Sequence, residues 1–186
     1  MKNLFFILFL LFLFSIFSCA TPETGASKNR KISAENNQVS EEHARGDFSL
    51  DLETIEGESF SFDAIRGKKH LLIAFWASWC DPCKTELENL RDIYPSYSSD
   101  VEFVAVATDT EENFATVQEQ VVRMMLPYPV LTDPSGNTVQ SMIPGGDTVP
   151  YSMIVSKNGK VVFTHEGYKP GDEIKLKQKL DKLISE

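Results

Sequence analysis

Cysteine and histidine are scarce in this chain of 186 residues: Cys19, Cys80 and Cys83, and His43, His70 and His165. A zinc site built on Cys-X-X-Cys needs a second pair or nearby histidines. Neither exists here, so no metal is expected, and no cofactor either. Basic residues are the minority, 18 Lys and Arg against 27 Asp and Glu. The resulting net charge of −9 would repel phosphates and argues against a nucleic-acid partner. No internal repeat is visible. With 42% hydrophobic and 24% charged residues, the composition is that of a globular chain, and its length suits one domain plus extensions.

The longest apolar run stands at the start. Met1-Lys2-Asn3 carries one positive charge and is followed by Leu4 to Phe17, rich in Phe and Leu. As a helix this run would measure roughly 21 Å, short of a hydrocarbon core of about 30 Å. That is the length of a signal peptide, here residues 1–18, with the small Ser18 and Ala20 around the cut. Ile16-Phe17-Ser18-Cys19 resembles a bacterial lipobox, although Phe17 is bulkier than the usual occupant. The resemblance implies that Cys19 becomes a lipidated N-terminus and that the protein is exported, anchored on the periplasmic or extracytoplasmic face of a membrane. An uncleaved anchor is the alternative. If Cys19 carries lipid, Cys80 and Cys83 are the only thiols left, which accounts for an odd cysteine count in an oxidising compartment.

Residues 19–46 are expected to be a flexible tether. From Thr21 to Gly46 the only large aliphatics are Ile32 and Val39, and aromatics are absent. The segment cannot bury enough apolar surface to fold alone and would span roughly 25–30 Å as a coil. His43 is a solvated linker residue.

An α/β pattern occupies residues 47–186. Asp47 to Leu52 and Ser59 to Phe62 alternate as a hairpin, with Phe48, Leu50, Leu52, Phe60 and Phe62 on one side. Leu71 to Trp76 and Val101 to Ala107 read as buried central strands. Leu87, Leu90, Tyr94 and Tyr97 form the stripe of a helix ending near Pro95. Phe114, Val117, Val121 and Met124 form that of a second, started by Asp109-Thr110 with Glu111 and Glu112. A short strand at Tyr128 to Leu131, a short helix from Asn137 to Ile143 and a hairpin of Tyr151–Val155 with Lys160–His165 follow. The last helix, Gly171 to Ser185, turns Ile174, Leu180, Leu183 and Ile184 inward, and Met124-Met125 are core candidates.

Trp79-Cys80-Asp81-Pro82-Cys83 follows the first central strand directly. Pro82 suits the first turn of a helix, where its missing N–H costs nothing. Thiols at i and i+3 of a helix lie on one face at disulfide distance, and can form a readily exchanged bond. Cys80 would be the N-cap, where free N–H groups and the positive end of the helix dipole stabilise a thiolate.

Phe75-Trp76-Ala77-Ser78-Trp79-Cys80-Asp81-Pro82-Cys83-Lys84 resembles the active-site segment of thioredoxin-fold proteins, and Thr148-Val149-Pro150 resembles the position of that fold's cis-proline. Gly67-Lys68, the extra strand and helix between residues 128 and 143, and the Asn158-Gly159-Lys160 hairpin ending in His165-Glu166-Gly167-Tyr168 are together similar to the TlpA/ResA branch, exported thiol–disulfide oxidoreductases tethered to membranes. The resemblance implies a mixed β-sheet flanked by helices, with an N-terminal hairpin and a β-α insertion before the cis-proline. It makes Cys80 the exposed nucleophile, Cys83 the buried resolving thiol, and Pro150, if cis, the residue that holds Val149 ready to pair with substrate. Trp76 and Trp79 pack around the pair. The partners it implies are protein dithiol or disulfide substrates and a membrane electron donor of the thiol-relay type; cytochrome c biogenesis is one family role among several.

Asp81 sits one residue from Cys80 and opposes a thiolate there, which favours the disulfide and makes the protein a reductase. It is also an ordinary first-turn helix residue. Thioredoxins carry a buried Asp on the preceding strand for proton transfer, and Ala74 stands there instead. The TlpA/ResA branch is expected to use a Glu after the next strand; Thr110 occupies that position here, leaving Asp109 or Glu111 as proton-transfer candidates. A peroxiredoxin needs a Thr three residues before its reactive cysteine, where this chain has Ala77. His165 reads as a packed or solvated residue. The competing functions are a disulfide oxidase or isomerase using the same cysteines, and a non-enzymatic binding module.

Overall fold

The computed structural model describes residues 48–146 and 148–186. The expected signal peptide, the tether, Cys19, His43 and Asp47 lie outside the described residues. Seven strands, β1 (Asp51–Thr54), β2 (Ser59–Ser61), β3 (His70–Trp76), β4 (Val101–Ala107), β5 (Val130–Thr132), β6 (Tyr151–Val155) and β7 (Val161–Glu166), form one sheet in the order β2-β1-β5-β4-β3-β6-β7. The helices are α1 (Asp81–Tyr97), α2 (Phe114–Met124), α3 (Asn137–Met142) and α4 (Asp172–Ile184). β3, β4 and β5 run parallel, while β6, β7, β1 and β2 join antiparallel. This is a thioredoxin-like α/β fold.

Every residue of β3 is buried, because the strand is central and covered on both faces. Leu72, Ala74 and Trp76 pack into the cluster with Leu87 and Leu90 of α1, Val117 of α2, and Leu176 and Leu180 of α4. Leu71, Ile73 and Phe75 face the other way, toward Phe48, Leu50, Phe62, Val139 and Met142. Each such side chain withdrawn from water is worth about 1.5–3 kcal/mol, so the two clusters fix the ends of β3 firmly.

Some expected boundaries and faces shift. Phe48 and Leu50 are buried but precede the ladder, and Phe62 starts a 3-10 turn over Phe62–Ala64. The Phe62 N–H still donates to Leu50 O at 2.9 Å, so the hairpin pairing runs one step past the two strands and ends before Phe48. The strand expected at Tyr128 to Leu131 pairs over Val130–Thr132. Helix α1 runs through Pro95 to Tyr97. In α4 the inward residues are Leu176 and Leu180, spaced i, i+4, whereas Ile174 and Ile184 are exposed. Met124 is buried, but Met125 closes α2 in the left-handed conformation (φ 51°) and points to solvent.

Candidate active site

β3 delivers the chain to the sheet's edge, and α1 begins five residues after β3 ends. Cys80 is the N-cap of α1, in extended conformation, and its Sγ accepts a hydrogen bond from the Cys83 N–H at 3.3 Å. Pro82 lies in the first turn. Cys80 and Cys83 are joined by a disulfide with their Cα atoms 5.3 Å apart. The N–H that now meets Cys80 Sγ remains in place to stabilise a thiolate once the bond opens.

The approach to Cys80 is pinned at several points. Cys80 N–H donates to Ala77 O at 3.0 Å and Thr108 N–H to Trp76 O at 2.8 Å. Asp109 accepts from both the Ser78 N–H (2.8 Å) and the Ser78 hydroxyl (2.6 Å), all within a buried setting. Both its oxygens are therefore engaged in holding the loop. Asp109→Ala leaves two buried donors without a partner and is expected to cost about 2 kcal/mol in a denaturant titration.

Both cysteines are almost wholly covered: Cys80 keeps 4% exposure and Cys83 none. Cys80 was expected to be exposed. Its sulfur is instead bonded to that of Cys83 and accepts the Cys83 N–H, which accounts for its low exposure. Trp79, beside it, is 68% exposed, whereas Trp76 is buried in the core. The Val149–Pro150 peptide bond is cis. It immediately precedes β6, whose Tyr151 pairs with Phe75 of β3, so the proline stands at the same end of the sheet as the cysteines. Half-buried Val149 packs on the cluster that contains them.

Asp81 is exposed and turns to Lys84, 2.9 Å away, which holds its carboxyl below the usual range, first through the hydrogen bond and then through its charge. The cation offsets the repulsion that Asp81 exerts on a Cys80 thiolate. Asp81→His is accordingly expected to raise the reduction potential by only about 15 mV, a threefold change in the exchange equilibrium, measured against glutathione buffers.

One residue escaped the reading of the sequence. Glu86, three residues beyond Cys83 on α1, is 5% exposed and accepts a hydrogen bond from the Ser152 hydroxyl at 2.5 Å. Ser152 pairs with Ala74 across β3 and β6, so Glu86 reaches from the helix to the strand position where thioredoxins carry their Asp. Burial, assisted by the charge of Asp172 and opposed by the Ser152 bond, pushes its carboxyl up to about 7. A group that exchanges protons near neutrality thus sits one helical turn from Cys83. The signal was present: Glu86 falls on the stripe of Cys83, Leu87 and Leu90, an acid at a core position. Glu111, the other expected acid, is exposed on a 3-10 turn, and its neighbour Asp109 is committed to Ser78. Among the described residues no cluster of His, Cys, Asp and Glu fits a metal ion.

A buried disulfide between cysteines three positions apart at a helix start, with a cis-proline at the same end of the sheet, defines the thioredoxin-fold thiol–disulfide oxidoreductases as a class. The profile of the AhpC/TSA family matches residues 42–164, and the chain belongs to that family. Among its relatives, the thiol-disulfide oxidoreductase ResA of Halalkalibacterium halodurans is 31% identical over 62% of this chain, and the match spans 64% of ResA's own length, just under two thirds. The sporulation thiol-disulfide oxidoreductase A of Bacillus subtilis is 31% identical over 67% of this chain and 74% of its own. Among solved structures, the exposed lipoprotein thioredoxin of Streptococcus pneumoniae superimposes with a TM-score of 0.60 at 26% identity, covering 73% of this chain and 99% of that one.

Proposed function

We propose that this protein is a membrane-tethered thiol–disulfide oxidoreductase that reduces protein disulfides outside the cytoplasm. The observation that carries the reading is the Cys80–Cys83 disulfide at the N-terminus of α1, with Cys80 retaining 4% exposure and Cys83 none. In the reduced protein the Cys80 thiolate attacks a substrate disulfide and releases one substrate thiol. Cys83 gives its proton to Glu86, attacks Cys80, and releases the second thiol as the protein disulfide reforms. Val149 and Pro150 offer backbone to the bound peptide, and Trp79 covers its approach. Exported location and lipidation at Cys19 are supported by the first nineteen residues and by the likeness to an exposed lipoprotein. A membrane donor of the thiol-relay type would return electrons to Cys80 and Cys83. Cytochrome c maturation is one role among several that the TlpA/ResA resemblance implies.

Fractionation of cells carrying the full chain tests the location, with a Cys19→Ala variant alongside. The reading expects the protein in the membrane fraction, released when Cys19 is replaced; the same fractionation for both proteins would contradict lipidation. Insulin reduction driven by a small dithiol tests the direction, and activity no faster than the dithiol alone would count against a reductase.

A further inference from the structure

Glu86 can serve repeated turnovers only if its proton reaches solvent, yet the carboxyl is sealed in the core. The sheet register shows what lies beyond it. Ala74 of β3, Ser152 of β6 and His165 of β7 are consecutive cross-strand partners, so their side chains form one row on the face beneath α1 and α4. Ser152 binds Glu86, and His165 comes next in the row.

Glu86 and His165 line the same small cavity, of about 10 Å³, together with Tyr168, Asp172 and Glu173. That volume is enough for a single water molecule. His165 Nε2 is buried and makes no hydrogen bond, although Asp172 Oδ2 is 3.2 Å away. A buried nitrogen without a partner is uncommon enough to need a reason. The His165 side chain is nevertheless 22% exposed, so the same residue lines the cavity and meets solvent.

The charged and titratable groups around the ring are Glu86 from α1, Tyr168 from the loop before α4, and Asp172, Glu173 and Lys175 from α4. Tyr168 is tied up with Glu173 and Asn89. Asp172 is a standing anion: burial works to raise its carboxyl, but Lys175 and the Lys169 N–H hold it below its ordinary range. An imidazolium formed at His165 would meet that anion directly.

We propose that His165 and Asp172 form the exit of a proton relay that connects Glu86 to solvent during thiol–disulfide exchange. The proposal rests on the reading that Glu86 takes the Cys83 proton. As Cys83 attacks the mixed disulfide, its S–H proton passes to the Glu86 carboxylate, the Cys80–Cys83 bond forms, and the Cys80–substrate bond breaks. The two electrons leave with the substrate thiolate. The proton then crosses the cavity to the His165 ring, is held as imidazolium against Asp172, and departs to water from the exposed side of the ring. Its reverse supplies a proton when the protein is reduced again. His165 touches no substrate and acts through Glu86, as a positioning and relay residue.

The test is the rate at which the mixed disulfide between Cys80 and a small thiol closes during repeated turnover, with a small disulfide and a dithiol both in excess, across pH 5–9 in the full-length protein; a single closure would need only Glu86. His165→Ala is expected to slow closure about tenfold at pH 7, to leave the equilibrium potential of the cysteine pair unchanged, and to recover on addition of imidazole. His165→Gln, which keeps the bulk and a polar end, should slow closure without imidazole rescue. The parent protein should close about twofold slower in deuterium oxide. Parent-like rates in both His165 variants alongside a slow Glu86→Gln would overturn the relay and leave Glu86 standing. A parent-like Glu86→Gln would instead sink the reading beneath it. Slow closure accompanied by a shifted potential, with no imidazole rescue of His165→Ala, would show a packing role and also overturn the relay, as would an isotope effect of one in the parent.

Discussion

Replacing Cys83 with Ala is expected to reduce turnover to the background of uncatalysed exchange while covalent complexes with substrate proteins accumulate at Cys80. The reason is geometric. Cys83 is fully buried behind Cys80, and the two Cα atoms stand 5.3 Å apart, so a bond formed at Cys80 is within reach of Cys83 and of little else. Without Cys83 the mixed disulfide waits for an external thiol. Non-reducing gels followed by mass spectrometry would reveal the adducts, which dithiothreitol should remove. Cys80→Ser should lose turnover equally and trap nothing, since its Cys83 sulfur has no path to a protein-sized partner. Adducts of equal abundance in both variants would reverse the assigned order of attack.

Replacing Glu86 with Gln is the second large effect, and it touches rate and stability in opposite directions. The variant keeps shape and can still meet Ser152, but it takes no proton, so exchange at pH 7 should slow about 100-fold and lose its dependence on a group titrating near neutrality. Stability follows from linkage. The Glu86 carboxyl rises from an ordinary 4.5 to about 7 in the folded protein, chiefly through burial. Between those values the folded state binds more protons than the unfolded state, so stability falls as pH increases through the window. The full loss, about 3 kcal/mol, is reached above pH 7. Glu86→Gln removes this dependence and should be the more stable protein at pH 8, with the difference between the two shrinking toward pH 4.5. Urea titrations at a series of pH values measure the difference directly.

The scaffold was legible because its signals are local and strong. Val101 to Ala107 and Tyr151 to Val155 form strands over exactly the residues their apolar runs mark, for a central strand has no polar face to blur its ends. The helix after Cys80 was equally plain from Pro82 and the Leu87–Leu90 stripe. The N-terminal hairpin was harder: Phe48 and Leu50 alternate as strand residues do and bury against Phe62 and the face of β3, but both precede β1, and Leu50 pairs only through the Phe62 N–H. In α4, hydrophobicity alone points Ile174 and Ile184 inward, but the helix turns Leu176 to the core and leaves both isoleucines exposed. The cysteines and the cis-proline follow from short motifs. Glu86 and His165 do not, because their environment depends on the Ala74–Ser152–His165 register, which only the folded sheet creates. Asp109 was a candidate for proton transfer on its position near the motif; its two bonds to Ser78 give it a different task.

The reversible couple between Cys80 and Cys83 is the claim on which everything else depends. Equilibrating the purified domain in a series of dithiothreitol redox buffers at pH 7, then quenching and alkylating the free thiols, counts reduced protein by a shift in mass. The account expects one transition in which both sulfurs are alkylated together, a two-electron Nernst slope, and a midpoint nearer thioredoxin's, about −270 mV, than the roughly −120 mV of DsbA. Cysteines that stay unmodified throughout the series, or that react independently of each other, would contradict it.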